Sequence, residues 1–367
     1  MQNIMSLKTI CLLLVFMTSL SFAQEKMHLE EIAPEVEGKQ GLKEEIKEYI
    51  NHHLLDSHDF GLYSYENDEG ENVHIGFPLP VILWDNGLQV FSSSKLHHGE
   101  SVAEVNGNYY KLYHGKIYKT DAEGTINHDE HHHATNFKPL DFSITKNVFT
   151  IFLVGLLLFF MFGSMAKSYK KAALPKGMGR LLEPIVLYIR DDIAIPNIGK
   201  KHYKRYMSFL LTVFFFIWII NLLGLTPLGV NVTNNIAVTL ALALLTYLIT
   251  TFTANKNYWG HIFWMPGVPW PMKIILAPIE LLGTFIKPFS LLIRLYANIT
   301  AGHIVLMSII GLMFIFKNWL GSSLSFGLAF VLSLLELLVA ALQAYIFTML
   351  SALYFGSAVE EHHHDDH

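Results

Sequence analysis

Five stretches of the chain stay apolar for longer than a globular core requires. They cover roughly residues 148–166, 207–228, 234–254, 274–316 and 324–358. Crossing about 30 Å of hydrocarbon takes about 20 apolar residues in a helix, so the first three predict one crossing each. The last two are too long for that. At about 1.5 Å per residue they reach about 64 and 52 Å. Even the shorter fits the bilayer only when tilted by about 55°, far beyond the common tilt of about 20°. The pattern therefore predicts two long, strongly inclined helices forming a hairpin, the first bent at Pro278 and Pro288. The alternative is a break in each segment, with one part lying at the interface.

Upstream the pattern changes character. Residues 24 to about 70 are charged and mostly helical in pattern, most clearly at Lys43-Glu44-Glu45-Ile46-Lys47-Glu48. Residues 71 to 120 break into short β-rich runs. Turn signals at Asp85-Asn86-Gly87, Asn106-Gly107 and His114-Gly115 separate them. Val81–Trp84 and Leu88–Phe91 flank the first turn as a hairpin. The others bracket Asn108–Tyr113, giving a small β-meander. His128 to Asn136 reads as a polar linker. At the start, Lys8, the apolar run Ile10–Leu20 and Ser21-Phe22-Ala23 have the order of a secretory signal peptide with a mature start at Gln24. An uncleaved anchor is the alternative. The expected organisation is a signal peptide over 1–23, an exported region with a small β-module over 24–146, a membrane domain over 147–359 and a His-rich tail over 360–367. The fold class is an all-α polytopic membrane protein with about five crossings plus a small α+β exported region.

Charge sharpens this division. The chain has 367 residues, of which 52% are hydrophobic and 16% charged, with a net charge of -5. Typical soluble domains carry about a quarter charged residues, and no global basic field exists to attract nucleic acid. Gln24 to Asn147 holds 22 acidic and 10 basic residues, whereas Met207 to Val359 holds seven charges. The loop from Lys167 to Tyr206 carries ten Lys/Arg against three acids, which predicts a cytoplasmic loop. The first span then runs from outside to inside, in accord with the signal peptide. The exported region is periplasmic, and five crossings leave the C-terminus in the cytoplasm of a bacterial inner membrane. Leu181 to Ile198 within this loop is amphipathic and able to lie on the membrane surface. The single cysteine, Cys11, lies in the signal segment, so the mature chain has no disulfide and no thiolate metal site.

Ionisable side chains inside a span are costly and mark functional candidates. Glu280, Lys287 and Arg294 recur every seven residues, and at about 100° per residue they stay within about 40° of one helix face. Thr284 and Asn298 fall on the same stripe, and Ser290 lies close by. In the last segment Glu336 and Gln343 are again seven apart. His303 is nine residues past Arg294, on the opposite face, where it can meet Glu336 of the partner helix. A His–Glu pair suits a proton relay, because imidazole titrates near neutral pH and a carboxylate tunes it. Arg294 stays protonated and acts as a fixed charge. Local alternatives exist for most of these: Lys287 can snorkel, Glu280 can be an interfacial carboxylate, and His303 with Glu336 can be a structural pair.

The run Lys287-Pro288-Phe289-Ser290-Leu291-Leu292-Ile293-Arg294-Leu295-Tyr296-Ala297-Asn298-Ile299-Thr300-Ala301-Gly302-His303 resembles the signature of subunit a of the F-type ATP synthase. So does Leu342-Gln343-Ala344-Tyr345-Ile346-Phe347. Asn221-Leu222-Leu223-Gly224-Leu225 with Pro227, and Ala237–Leu242, are similar to its two middle-span motifs. The likeness covers about residues 145 to 360. It implies a proton channel pressed against a rotating ring of c subunits, with peripheral-stalk b subunits and the remaining synthase subunits as partners. It further implies that Arg294 faces the ring carboxylate, that Glu280 lies in the cytoplasmic half-channel, and that His303 and Glu336 line the outer one. Asn298 and Gln343 become polar neighbours of the arginine; Lys287, Ser290, Thr284 and Asn221 are secondary polar candidates. In many bacterial members the residue types at His303 and Glu336 are exchanged. The exported region is larger than the family's usual outer segment and receives no role from the resemblance.

No G-x-x-x-x-G-K-[ST] run occurs, so the chain is expected to be a non-catalytic subunit without cofactor or metal. Two rivals remain. One is the same rotary role coupled to Na+. The other is a membrane-anchored exported metal-binding protein, because His128-Asp129-Glu130-His131-His132-His133 and the tail Glu361–His367 are histidine-rich. That second reading leaves the Arg294 stripe unexplained.

Overall fold

The structure is a computed structural model that describes residues 56–66, 72–129, 133–171, 177–226, 230, 232–265, 268–315 and 319–360. The signal segment, the Lys43–Glu48 stretch, residues 130–132 and the tail 361–367 lie outside the described residues. Two compact units emerge. One comprises residues up to Phe152 with Leu223–Asn231 and Ile304–Ser333; the other comprises Leu153–Leu222, Val232–His303 and residues from Leu334 onward.

Among its described residues the first unit contains eight strands. β1 (Asp59–Glu66) and β2 (Asn72–Pro78) form an antiparallel hairpin with a bulge between Gly61 and Tyr63. Gly76 is required there, because a Cβ would collide with the Phe60 carbonyl oxygen. Residues 59–66, within the stretch whose charge pattern predicts helix, form a strand. The reason is local: Phe60, Tyr63 and Tyr65 favour β-structure and Gly61 weakens a helix. β3 (Pro80–Trp84) and β4 (Leu88–Ser92) form the predicted hairpin, with Asn86 and Gly87 at φ 51° and 132°. β8 (Leu140–Asp141) pairs on the free edge of β3. β5 (Ala103–Val105), β6 (Asn108–Tyr113) and β7 (Lys116–Thr120) form the predicted meander. Its Asn106-Gly107 and His114-Gly115 turns have positive φ at both residues, as tight hairpins need. Alternate residues Val81, Leu83 and Phe91 join Leu96, Tyr110 and Ile117 in one apolar core.

The stretch after β7 is more ordered than a polar linker. Asn136 donates to the carbonyls of Lys119 and Thr125, at 3.2 and 2.9 Å, and His128 bridges to Ala134. Beyond it the chain runs back along β3, with Phe142 N–H donating to Ile82 O and Ile144 N–H to Pro80 O.

Among the described residues five helices are long and apolar enough to cross a membrane. They are α1 (Lys146–Lys171), α3 (Tyr203–Gly224), α4 (Ile236–Thr253), α6 (Trp270–Ile315) and α7 (Trp319–Val359). Between α1 and α3 lies α2 (Met178–Tyr188), continued by a π-helical turn over Ile189–Ala194 and a last turn at Ile195–Ile198. The amphipathic face of this segment is buried on protein at Leu182, Ile189, Ile193 and Ile198. Asn197 reaches Met349 Sδ at 3.4 Å, and its carbonyl leaves no room for a Cβ at Gly356 of α7. α5 (Lys256–Phe263) is short and precedes α6. α6 is unbroken over 46 residues with Pro278 and Pro288 inside it, and α7 over 41. Prolines are tolerated in such helices because neighbouring groups re-satisfy the freed carbonyls. No break divides either segment within these described residues.

Candidate functional site

All the polar residues singled out in the long helices belong to the second unit. α6 sets their order. Its 3.6-residue period carries Glu280, Thr284, Lys287 and Arg294 along one stripe. The polar residues fall into three groups, two along this stripe and a third on the opposite face of α6.

The first group surrounds Glu280. A cavity of about 180 Å³ is lined by Glu280, Thr284 and Lys287 of α6, Tyr258 and His261 of α5, and Glu360 just past α7. Lys287 does not simply snorkel. Its Nζ lies over two rings, 5.7 Å from the Tyr258 centroid and 5.5 Å from that of Tyr354. Thr284 is buried and turns its hydroxyl onto the Leu281 carbonyl at 2.7 Å. Tyr258, His261 and Tyr354 had no signal in the sequence. Two sit in a short loop helix outside any apolar period, and the third reads as one more aromatic in a span. Glu360, grouped with the tail, is a wall of this cavity.

The second group is Arg294 with its polar neighbours. Arg294 is half-buried and, among the described residues, forms no ion pair and no side-chain hydrogen bond. One helical turn further, Asn298 Nδ2 donates to Gln343 Oε1 at 3.0 Å, tying α6 to α7. Gln343 is buried. Ser290 is half-buried one turn before Arg294.

The third group gathers around His303. The imidazole is 8% exposed. Glu336 of α7 lies against the residue before it: a Cβ on Gly302 would sit 2.8 Å from Glu336 Oε1. Glycine at 302 thus makes the space in which the carboxylate approaches α6. Thr300 donates its hydroxyl to Asn234 Oδ1, and Thr233 donates to Asn221 Oδ1 at 2.9 Å. Asn221 is 4% exposed, and its amide nitrogen has no hydrogen-bond partner among the described residues. Thr233, Asn234 and Thr300 were not singled out from sequence. They lie in a turn and on a crowded helix face, where threonine and asparagine are common for local reasons.

The histidine-rich runs fall mainly outside the described residues. Within them, His128 bonds the Tyr113 hydroxyl at 3.1 Å and His133 stands 3.5 Å from Asp129.

Residues 148–356 match the family model described as ATP synthase A chain, and residues 49–142 match one described only as a domain of unknown function. The chain is 37% identical over 329 residues to ATP synthase subunit a of Chlorobium phaeobacteroides strain BS1, covering 80% of this chain and 96% of that protein. It is 45% identical over 232 residues to ATP synthase subunit a of Chloroherpeton thalassium, covering 62% of this chain and 69% of that protein. With Myxococcus xanthus ATP synthase subunit a the identity is 45% over 234 residues, 62% of this chain and 77% of that protein. The family match covers all but the outermost ends of the five apolar helices and every residue named in the three polar groups except Glu360, and the chain belongs to the family of subunit a of the F-type ATP synthase.

Proposed function

We propose that this chain passes protons through two offset half-channels to and from a rotating ring of c subunits in a bacterial inner membrane. The observation that carries the reading is Arg294. A guanidinium within an apolar helix costs about 2.5–3.5 kcal/mol on insertion scales, and none of the described residues offers it a carboxylate. A carboxylate on another chain is the partner that chemistry asks for. When a neutral ring carboxyl arrives at Arg294, the fixed positive charge favours its ionised form and releases the proton. The same charge repels protons that would otherwise leak directly from one half-channel to the other.

The two other groups supply the half-channels. Protons enter through the His303 group, where Glu336, Asn221 and Asn234 provide acceptors and donors in a buried setting. They leave through the cavity beside Glu280. Strong inclination of α6 and α7 places both groups along the ring surface, since at about 1.5 Å per residue these helices reach about 69 and 62 Å. The positive loop 167–206 faces the cytoplasm, the exported module the periplasm and the C-terminus the cytoplasm. Peripheral-stalk b subunits hold the chain against rotation. ATP chemistry takes place on partner subunits. Arg294→Ala is expected to abolish ATP-driven proton pumping in membrane vesicles while ATP hydrolysis by the soluble sector survives. Normal pumping by that variant would sink the reading, and a requirement for Na+ in the unaltered complex would replace the proton by sodium.

A further inference from the structure

The exported module is not merely tethered to the membrane helix; it is fastened to its first turn. Lys146 N–H donates to the Ser57 carbonyl at 2.8 Å, and Asn147 N–H to Asp56 Oδ1 at 3.2 Å. Asp56 thus caps the start of α1 from a position 91 residues away, where a carboxylate also meets the favourable end of the helix dipole. Aromatic packing completes the joint. Phe60 and Phe77 face one another across the β1–β2 hairpin with stacked rings, centroids 4.9 Å apart, and each meets Phe149 edge-on at 5.4 Å.

The depth of that joint follows from helix length. From Lys146 to Lys167 α1 rises about 32 Å, close to the about 30 Å of a hydrocarbon core. No slack remains to lift Phe149 far above the bilayer. A crossing of that length puts Phe149 at the hydrocarbon boundary and the two rings packed edge-on against it in the interface. Lys146 Nζ, 5.7 Å above the Phe60 ring, marks the same level. Ile75 and Phe77 alternate onto one face of β2 and stay 46% and 39% exposed. On the helix beside them Val148 and Phe152 are 46% and 66% exposed. A cavity of about 190 Å³ is lined by Ile75 and Phe77, with Ser94 and His97 among its polar residues.

We propose that the β1–β2 hairpin is a foot by which the exported module stands in the lipid headgroup layer, with Ile75 and the free edge of Phe77 in contact with lipid. The occupant of this apolar face is the bilayer, because Phe77 packs on Phe149 of α1, whose neighbours Val148 and Phe152 are exposed apolar side chains of a membrane-crossing helix. The foot sets the module's height and fixes the angle at which α1 enters the membrane. It depends only on α1 crossing the bilayer and not on the route of protons elsewhere.

The test uses the full chain, purified with its associated subunits and reconstituted in phosphatidylcholine vesicles with Cys11→Ser as background. A single fluorescent label is placed through Ile75→Cys, with Glu104→Cys of β5 as the exposed control and Val148→Cys as the lipid-facing control. Nitroxide lipids spin-labelled near the headgroup should quench the 75 label by about twofold or more relative to the 104 label, as for an interfacial apolar face. Aqueous iodide should quench the 104 label and spare the 75 label. Quenching of the 75 label by iodide as strongly as the 104 label would overturn the proposal in favour of a water-exposed face. Quenching by neither reagent would overturn it in favour of a protein covering. Should the 75 variant not assemble, the same comparison at Ser94→Cys decides: a foot keeps that position within reach of headgroup nitroxides, and a raised module does not.

Discussion

Charge is handled in opposite ways in the β-module of residues 56–144 and in the long membrane helices. In the module, Asp85 is almost wholly buried, and it accepts from Lys119 Nζ at 2.7 Å and the Tyr110 hydroxyl at 3.0 Å. The Lys119 bond holds its carboxyl below the ordinary range against the opposing effect of burial. Burial, with the bond to Asp85, pushes the Tyr110 hydroxyl up. His58 and Asp141 form a second pair at 3.0 Å. These charges are answered within a few ångströms, so they serve the fold. Arg294 has no such answer among the described residues. That contrast is what supports the proposal that Arg294 meets a carboxylate on another chain.

Supplying Arg294 with an internal partner should therefore do as much harm as removing it. Glutamate four residues before an arginine is the better-oriented helical pair, and Ser290 occupies that position. Ser290→Glu is expected to reduce ATP-driven pumping to about one hundredth, equivalent to about 2.7 kcal/mol, with the chain still assembled. Vesicle acidification measured against subunit content checks this. Unimpaired pumping would show that Arg294 need not remain open. A smaller loss is expected at the His303 group. Gly302→Ala places a Cβ about 2.8 Å from Glu336 Oε1 and should slow pumping by about tenfold, the scale of a local overpacking cost. Adding Glu336→Asp, which withdraws the carboxylate by one methylene, should recover part of the rate. Failure of the double variant to improve on Gly302→Ala would mean that the Gly302 gap is not there to admit the carboxylate.

The membrane half was largely legible because its signals are periodic. Twenty-residue apolar runs, a seven-residue recurrence at Glu280, Lys287 and Arg294, and the half-turn offset of His303 all survive as geometry on α6. Partners contributed by short connections were not legible. Tyr258 and His261 reach the Glu280 cavity from a loop helix, and no period in the sequence links them to α6. Glu360 looked like the first residue of a charged tail, but α7 runs long enough to bring it back to that cavity. In the module, the hairpins could be read from Asn86-Gly87, Asn106-Gly107 and His114-Gly115, because positive φ favours those residues. The strand at Asp59–Glu66 was missed: its charged surroundings masked a short aromatic run. The pairing of Asp56 with Asn147 spans 91 residues, a distance at which local pattern carries no information.

The smallest expected effect is confined to the module and separates fold-serving charge from transport-serving charge by pH. Burial alone would raise the Asp141 carboxyl, but hydrogen bonds from His58 and Ser143 lower it from 3.8 to about 2. Ser143 N–H contributes at 2.8 Å, and the pairing joins β8 to the residue before β1. A carboxyl whose folded value is depressed adds stability that is complete above its unfolded value and is lost as pH falls through the folded one. The window here therefore runs from about pH 4 down to about pH 2. Asp141→Asn should speed pepsin cleavage within residues 56–144 of the full chain at pH 5. The difference from the unaltered chain should shrink as pH falls and be nearly gone near pH 2, where the Asp141 carboxyl is itself about half neutralised. Proton pumping at neutral pH should be nearly unchanged, because Asp141 lies in none of the three polar groups of α6 and α7. A cleavage difference that stays constant from pH 5 to pH 2 would mean that the variant acts through packing rather than charge. A large loss of pumping would mean that the module's ion pairs reach further into transport than their local partners imply.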